Sequence, residues 1–250
     1  MKRKLWILAV CTILSAFRGA AQDEIVKQGS HLSLGLTVGI GVPLGSFGDS
    51  GSETDGWAKT GSYMSIDGRY SISERLGIAG HIKRQVNPTD YEGYQEAILV
   101  PNIPEDAPNS GYGSGINWGL LSFHVGPTYR VKLSGFDLLF DLGLGVSLYS
   151  AYDVTDRGYY NFEIPDPNYF YESVMFMQPS TSFSYELGVQ GIWSISDRFD
   201  VHGGFSYFGA TASVEKSFFR NDGGTITSSF STLLYSISTA NVIAGLYYKL

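Results

Sequence analysis

Tyr70-Ser-Ile-Ser-Glu-Arg-Leu76 and Trp193-Ser-Ile-Ser-Asp-Arg-Phe199 repeat one pattern: an aromatic, a short Ser/charged turn, then a second alternating run. Tyr129-Arg-Val-Lys-Leu-Ser-Gly-Phe136 does the same with Ser134-Gly135 at its tip. Turn centres near 74, 134 and 197, with the end at Leu250, leave room between tight turns for two strands and one long loop. That spacing predicts an antiparallel up-and-down β array, with short turns at one end and long loops at the other.

Working outward from the turns, eight strands are predicted. They cover about 31–44, 60–72, 75–86, 116–131, 136–148, 181–194, 199–213 and a last run ending at Leu250. The fifth alternates most clearly, with Phe136, Leu138, Phe140, Leu142, Leu144, Val146 and Leu148 on one face. Asp137, Asp141, Gly143, Gly145 and Ser147 take the other, and Leu139 breaks the pattern. Residues 45–59, 87–115, 152–180 and 214–230 read as loops. The second of these is acidic without Lys or Arg, and the third mixes acids with many Tyr and Phe.

Lys2, Arg3 and Lys4, an apolar run from Leu5 to Ala16 and Gly19-Ala20-Ala21 have the form of a cleaved export segment over 1–21. Its apolar run is too short to span a bilayer as a helix. Residues 22–30 form a short polar lead on the periplasmic side, and 31–250 make one barrel. Cys11, the single cysteine, lies inside the export segment, so the mature chain carries no disulfide. Cleavage leaves 13 basic residues against 24 acidic, a net charge of −11, which excludes nucleic acid as a natural partner.

Alternation alone does not separate a membrane barrel from a soluble one that faces its apolar side inward. The polar face decides, because it is dominated by Gly and Ser rather than by the Lys, Glu and Thr of a water-exposed sheet. Small residues suit a narrow closed interior. The opposite face is large, apolar and aromatic near strand ends, as lipid contact and interfacial girdles require. The reading is an all-β, eight-stranded transmembrane barrel.

With its export segment, its eight strands and the closing Gly245-Leu-Tyr-Tyr248-Lys-Leu250, the chain resembles small outer-membrane β-barrel proteins of Gram-negative bacteria, and more narrowly the PorT-like outer-membrane barrel group. That resemblance implies the cell outer membrane as location, lipid and the barrel assembly machinery as partners, and Gly245, Tyr248 and Leu250 as an assembly signal. Leu250 stands where a terminal Phe is more usual, and Ile243 where a polar residue is common.

Asp67, Arg69, His81, Lys83, His124, Asp141, Glu186 and His202 all fall on the inward face. Read from chemistry, they form a hydrogen-bonded plug of mutually neutralising charges, since a buried charge needs a partner. The three histidines also raise a lumenal metal site, a weaker alternative, and no cofactor is expected. No Gly-x-Ser-x-Gly occurs and no strand histidine faces lipid, so no enzyme is expected. In the third long loop Tyr159, Tyr160, Tyr169, Phe170 and Tyr171 are candidates for contact with an extracellular or envelope protein. The same aromatics suit an extended strand pair carrying the barrel above the membrane. Acids there lack the regular spacing of a Ca²⁺ loop. The expected function is structural or interactive. The alternatives are a narrow conduit for small apolar molecules and an accessory role in outer-membrane secretion or assembly.

Overall fold

The computed structural model describes residues 32–50, 55–90, 93, 117–150, 154–159, 169–175, 180–222 and 225–250. The export segment, the polar lead and Tyr160 lie outside that set, as does most of 87–115. Among the described residues ten strands form: β1 Leu32–Pro43, β2 Gly61–Ser71, β3 Leu76–Pro88, β4 Asn117–Lys132, β5 Asp137–Ser150, β6 Val154–Tyr159, β7 Tyr169–Met175, β8 Ser180–Ser194, β9 Phe199–Asp222 and β10 Thr225–Lys249. Eight of them close a ring in the order β1-β2-β3-β4-β5-β8-β9-β10, and β10 pairs back onto β1. Every pairing is antiparallel. The fold is an eight-stranded antiparallel β-barrel.

Following paired residues around the ring gives its stagger. Leu34 leads to Gly68, Gly80, Val125, Leu144, Tyr185, Gly209 and Ser238, and Ser238 accepts the amide of Leu44 rather than of Leu34. The circuit climbs ten residues along β1. A stagger of this kind tilts the strands by about 40° and narrows the lumen to side-chain width.

The repeated turns work through their serines. Ser73 Oγ accepts the amides of Arg75 and Leu76, and Ser196 Oγ accepts those of Arg198 and Phe199. Each hydroxyl thereby closes its turn locally, which is why Ser sits at the same place in both copies. The third turn uses Gly135, whose φ of 98° is natural only to glycine. All three turns lie at the end of the barrel that holds Leu32 and Leu250. The strand ends that lead into the longer connections, Pro43, Pro88, Asn117 and Ser150 among them, lie at the other.

Two of the predicted loops are corrected. Residues 214–222 and 225–230 are not loop, because β9 and β10 run on as one paired hairpin from Phe199↔Tyr248 to Asp222↔Thr225. Within 152–180, β6 and β7 form a hairpin whose second strand pairs the outer part of β9, Tyr169 with Asp222 through Met175 with Lys216. Pairing with the neighbouring long strand gives the β7 backbone its ladder partners. The extended strand pair expected as one reading of that segment is present.

Orientation follows from exposure. Phe183 is 66% exposed, Phe205 65% and Ile66 60%, whereas Lys83 is 0% and Glu186 3% exposed. A barrel with its apolar residues outside and its charges inside matches a hydrocarbon surround rather than water. Near the turn end, outward aromatics pair across strands: Phe136 stacks on Trp193 at 5.6 Å and Phe199 meets Tyr248 at 5.2 Å. Tyr185 and Tyr207, 6.1 Å apart, mark the opposite belt.

Candidate functional site

The lumen is layered. At the turn end Arg69 lies with its guanidinium 4.0 Å over the Tyr247 ring and donates from Nη2 to Gln190 Oε1 at 3.4 Å. Gln190 Nε2 in turn donates to Asp141 at 3.2 Å. The His202 ring lies 4.5 Å from Tyr247, and its Nε2 is 3.2 Å from Thr37 Oγ1. Above this layer Asp67 accepts from Thr37, from Ser65 Oγ at 2.9 Å and from Tyr247 OH at 3.5 Å, and bonds His81 Nδ1 at 2.8 Å.

One step higher, Lys83 Nζ donates to Glu186 at 3.0 Å, from β3 across to β8. Ser206 donates to the other oxygen of Glu186 at 2.6 Å. His124 Nδ1 stands 3.5 Å from the same carboxylate while its Nε2 bonds Ser184 at 2.8 Å. The Lys83 ammonium also sits 3.9 Å over the Phe208 ring. Gln85, Asn87 and the Ser122-Ser147-Ser184 hydroxyl chain complete the polar part.

All eight inward residues expected from alternation are therefore inside and bonded, but their pairing differs from mutual charge neutralisation. Among the eight, Lys83–Glu186 and His81–Asp67 are the ion pairs at hydrogen-bond distance. Arg69 reaches Asp141 through an amide. Partner choice depends on the register of strands far apart in sequence, which alternation does not contain. The three histidines do not converge: His81 and His124 are paired residues on neighbouring strands, yet they face different acids. Among the described residues no group of three His, Cys, Asp or Glu is placed to hold a metal ion.

Sequence reasoning missed the aromatic and amide members of the plug, Tyr247 and Gln190 above all. Beyond Phe208, whose parity puts it inward, it also missed a second, apolar layer at the loop end, made with Trp118, Leu120, Tyr149, Tyr235 and Ile237. Strand parity was the available signal, since Trp118 and Leu120 share the face of Ser122 and His124. The first loop caps this layer with buried Phe47 and Trp57. An exposed ion pair, Lys59 to Asp90 at 2.9 Å, ties that loop to the end of β3, and its hydrogen bond holds the Asp90 carboxyl below its ordinary value.

Of the closing-strand residues, Gly245 is required by space. A Cβ there would fall on His202 Nε2 and the Leu36 carbonyl. Tyr248 faces outward against Phe199, and Leu250 donates its amide to Leu32 at 3.0 Å. Tyr159 pairs Phe170, and Tyr169 and Tyr171 pair Asp222 and Arg220 of β9, so these four lie on the hairpin above the ring.

The closed ring, with its apolar outside and bonded polar inside, is an eight-stranded antiparallel β-barrel that resembles outer-membrane β-barrel proteins. No protein-family model and no curated protein matches the chain. Among solved structures it is similar to the outer membrane protein OprG from Pseudomonas aeruginosa, at 13% identity and a TM-score of 0.48 over 90% of this chain and 99% of that one. A major outer membrane protein from Thermus thermophilus matches at 10% identity and 0.49, over 88% and 99%. Neisserial surface protein A matches at 15% and 0.41, over 89% and 100%.

Proposed function

We propose that this protein is exported by its cleaved N-terminal segment, is inserted into the outer membrane of a Gram-negative bacterium and acts there as a structural or surface-interaction barrel, with no catalytic role. The observation that carries the reading is the contrast between the two barrel faces: a continuous apolar exterior and a lumen crossed by the buried Lys83–Glu186 pair. A lumen bridged by a fully buried, hydrogen-bonded ion pair supports binding at the surface rather than flow through the wall. Interaction falls to the β6–β7 hairpin and the outer parts of β9 and β10, where Tyr159, Tyr169, Phe170 and Tyr171 gather above the membrane. The partner is an extracellular or envelope protein. Gly245, Tyr248 and Leu250 serve insertion by the assembly machinery.

Conductance tests the reading. The purified barrel in a planar bilayer should show no steady current, because the buried Lys83–Glu186 pair bridges the lumen from β3 to β8. Stable single-channel steps in the wild type would overturn the closed lumen and favour a conduit.

A further inference from the structure

Strand parity places one charge on the outside of the wall. Lys83 and Gln85 on β3 are buried in the lumen, so Arg84 between them points outward, and it is exposed. Its outward neighbours along β3 are Ile82 and Val86, and it pairs Met64 on β2 and Leu121 on β4. Among the described residues the Arg84 side chain makes no hydrogen bond and no ion pair. The outward positions of the ring strands between the turn-end aromatics and the Tyr185–Tyr207 belt carry no other charge among the described residues.

The height of Arg84 on the wall follows from the stagger. Its pairs lead through Leu121 and Leu148 to Thr181 on β8. A climb of ten residues shared by eight strands lifts the paired path by about one and a quarter residues per strand. The level of Arg84 on β8 therefore lies about four residues from Thr181 toward the turn end. That position is Tyr185, which forms the upper belt with Tyr207. On β2 the same level lies about one residue beyond Met64 toward the loop end, beside Ser62. Ser62 is exposed on the same outward face as Met64, and its hydroxyl has no partner among the described residues. Diagonal neighbours on paired strands are within reach of a long side chain. A guanidinium and a hydroxyl thus stand together at the belt, between Ile82 and Met64 on the turn side and Val86 and Leu121 on the loop side.

A cation left alone on a hydrocarbon-facing wall is costly, and an anion within reach lowers that cost. At the level of the belt the anions within reach are lipid phosphates, which the planar guanidinium fork matches with two parallel N–H bonds. We infer that Arg84 and Ser62 form a site on the outer wall for the phosphate of one lipid in the leaflet on the loop side. Arg84 pairs with the phosphate, Ser62 donates a further hydrogen bond to it, and the acyl chains run toward the turn end over the exposed Met64, Ile66 and Ile82. The apolar surround favours a phosphate that carries chains over a free anion, which would give up its water without covering any apolar surface. This site rests on the membrane placement proposed above and adds a headgroup preference to it.

The probe is dioleoyl phosphatidic acid, added to the folded barrel in detergent and read as bound lipid by native mass spectrometry. Dioleoylglycerol has the same chains without the phosphate, and glycerol 3-phosphate has the phosphate without the chains. One saturable phosphatidic acid adduct is expected, with far weaker binding of the other two. Arg84→Gln should weaken that adduct about tenfold and Ser62→Ala about threefold. Both side chains are exposed and unbonded, so both variants should fold. Arg198→Gln, in an exposed turn at the far end, should leave the adduct unchanged. Equal affinity in wild type and Arg84→Gln would mean that Arg84 only reaches along the wall to water, and it overturns the site. So does an equal loss in Arg198→Gln, the mark of a general charge effect. Glycerol 3-phosphate bound as tightly as phosphatidic acid would also overturn it, because the ligand would then be a free anion. Failure of the membrane placement would show separately, as a barrel that stays folded and monodisperse in buffer without detergent.

Discussion

Glu186 shows what a single inward residue carries. Its two oxygens take Lys83 and Ser206, and His124 stands beside it. Both charged side chains are out of water, 0% and 5% exposed. Their attraction offsets a desolvation cost of several kcal/mol per ion, so the pair contributes little net stability but is costly to break. Glu186→Ala should therefore destabilise the barrel by about 3–5 kcal/mol, read from urea unfolding in detergent. Replacing both partners, Lys83→Met with Glu186→Leu, should recover most of that loss. A single variant with wild-type stability would mean that water reaches the site and that the plug is not sealed. Alternation placed Glu186 inside, but it did not choose Lys83 over Arg69, because that choice is made by registers running through β3, β4, β5 and β8.

At the scale of elements, β10 closes the ring, and its last residues hold both neighbours. Tyr248 pairs Leu34 on β1 and Phe199 on β9, and Lys249 pairs Ser33 while its ammonium meets Asp200 at 2.7 Å. Deleting Tyr248, Lys249 and Leu250 removes these rungs at the seam where the first and last strands meet. The truncated chain should accumulate as protease-sensitive precursor without the heat-modifiable band of a folded barrel. A normal level of folded barrel would show that closure does not need the terminal rungs. The tight turns were legible because their hydrogen bonds are local, from Ser73 and Ser196 to residues two and three positions on. The outer ends of β9 and β10 were not, since their polar sequence resembles loop and only mutual pairing makes them strands.

For the whole molecule, the prediction concerns sides. The short turns and the strand ends leading to the long connections lie at opposite ends, so Asp49 and Glu74 are at opposite ends of the barrel and, under the proposed function, on opposite sides of the membrane. Glu74 is in an exposed turn, paired to Lys132 at 2.9 Å. Cysteine introduced in place of Asp49 should label with an impermeant thiol reagent on whole cells, and cysteine in place of Glu74 only after the outer membrane is opened. Equal labelling of intact cells at both positions would rule out this arrangement.

The period of two along each strand and the spacing of the Ser-centred turns were enough to establish an antiparallel eight-stranded barrel with small and charged residues inside. Those signals are local, and every strand repeats them. The stagger of ten residues, the crossing of the lumen by Lys83 to Glu186, and the strand character of Phe218 to Asp222 came only with the closed ring. So did the capping of Trp118 by Phe47. Each depends on residues brought together from distant strands, and closure of the barrel is the physical event that sets their distances.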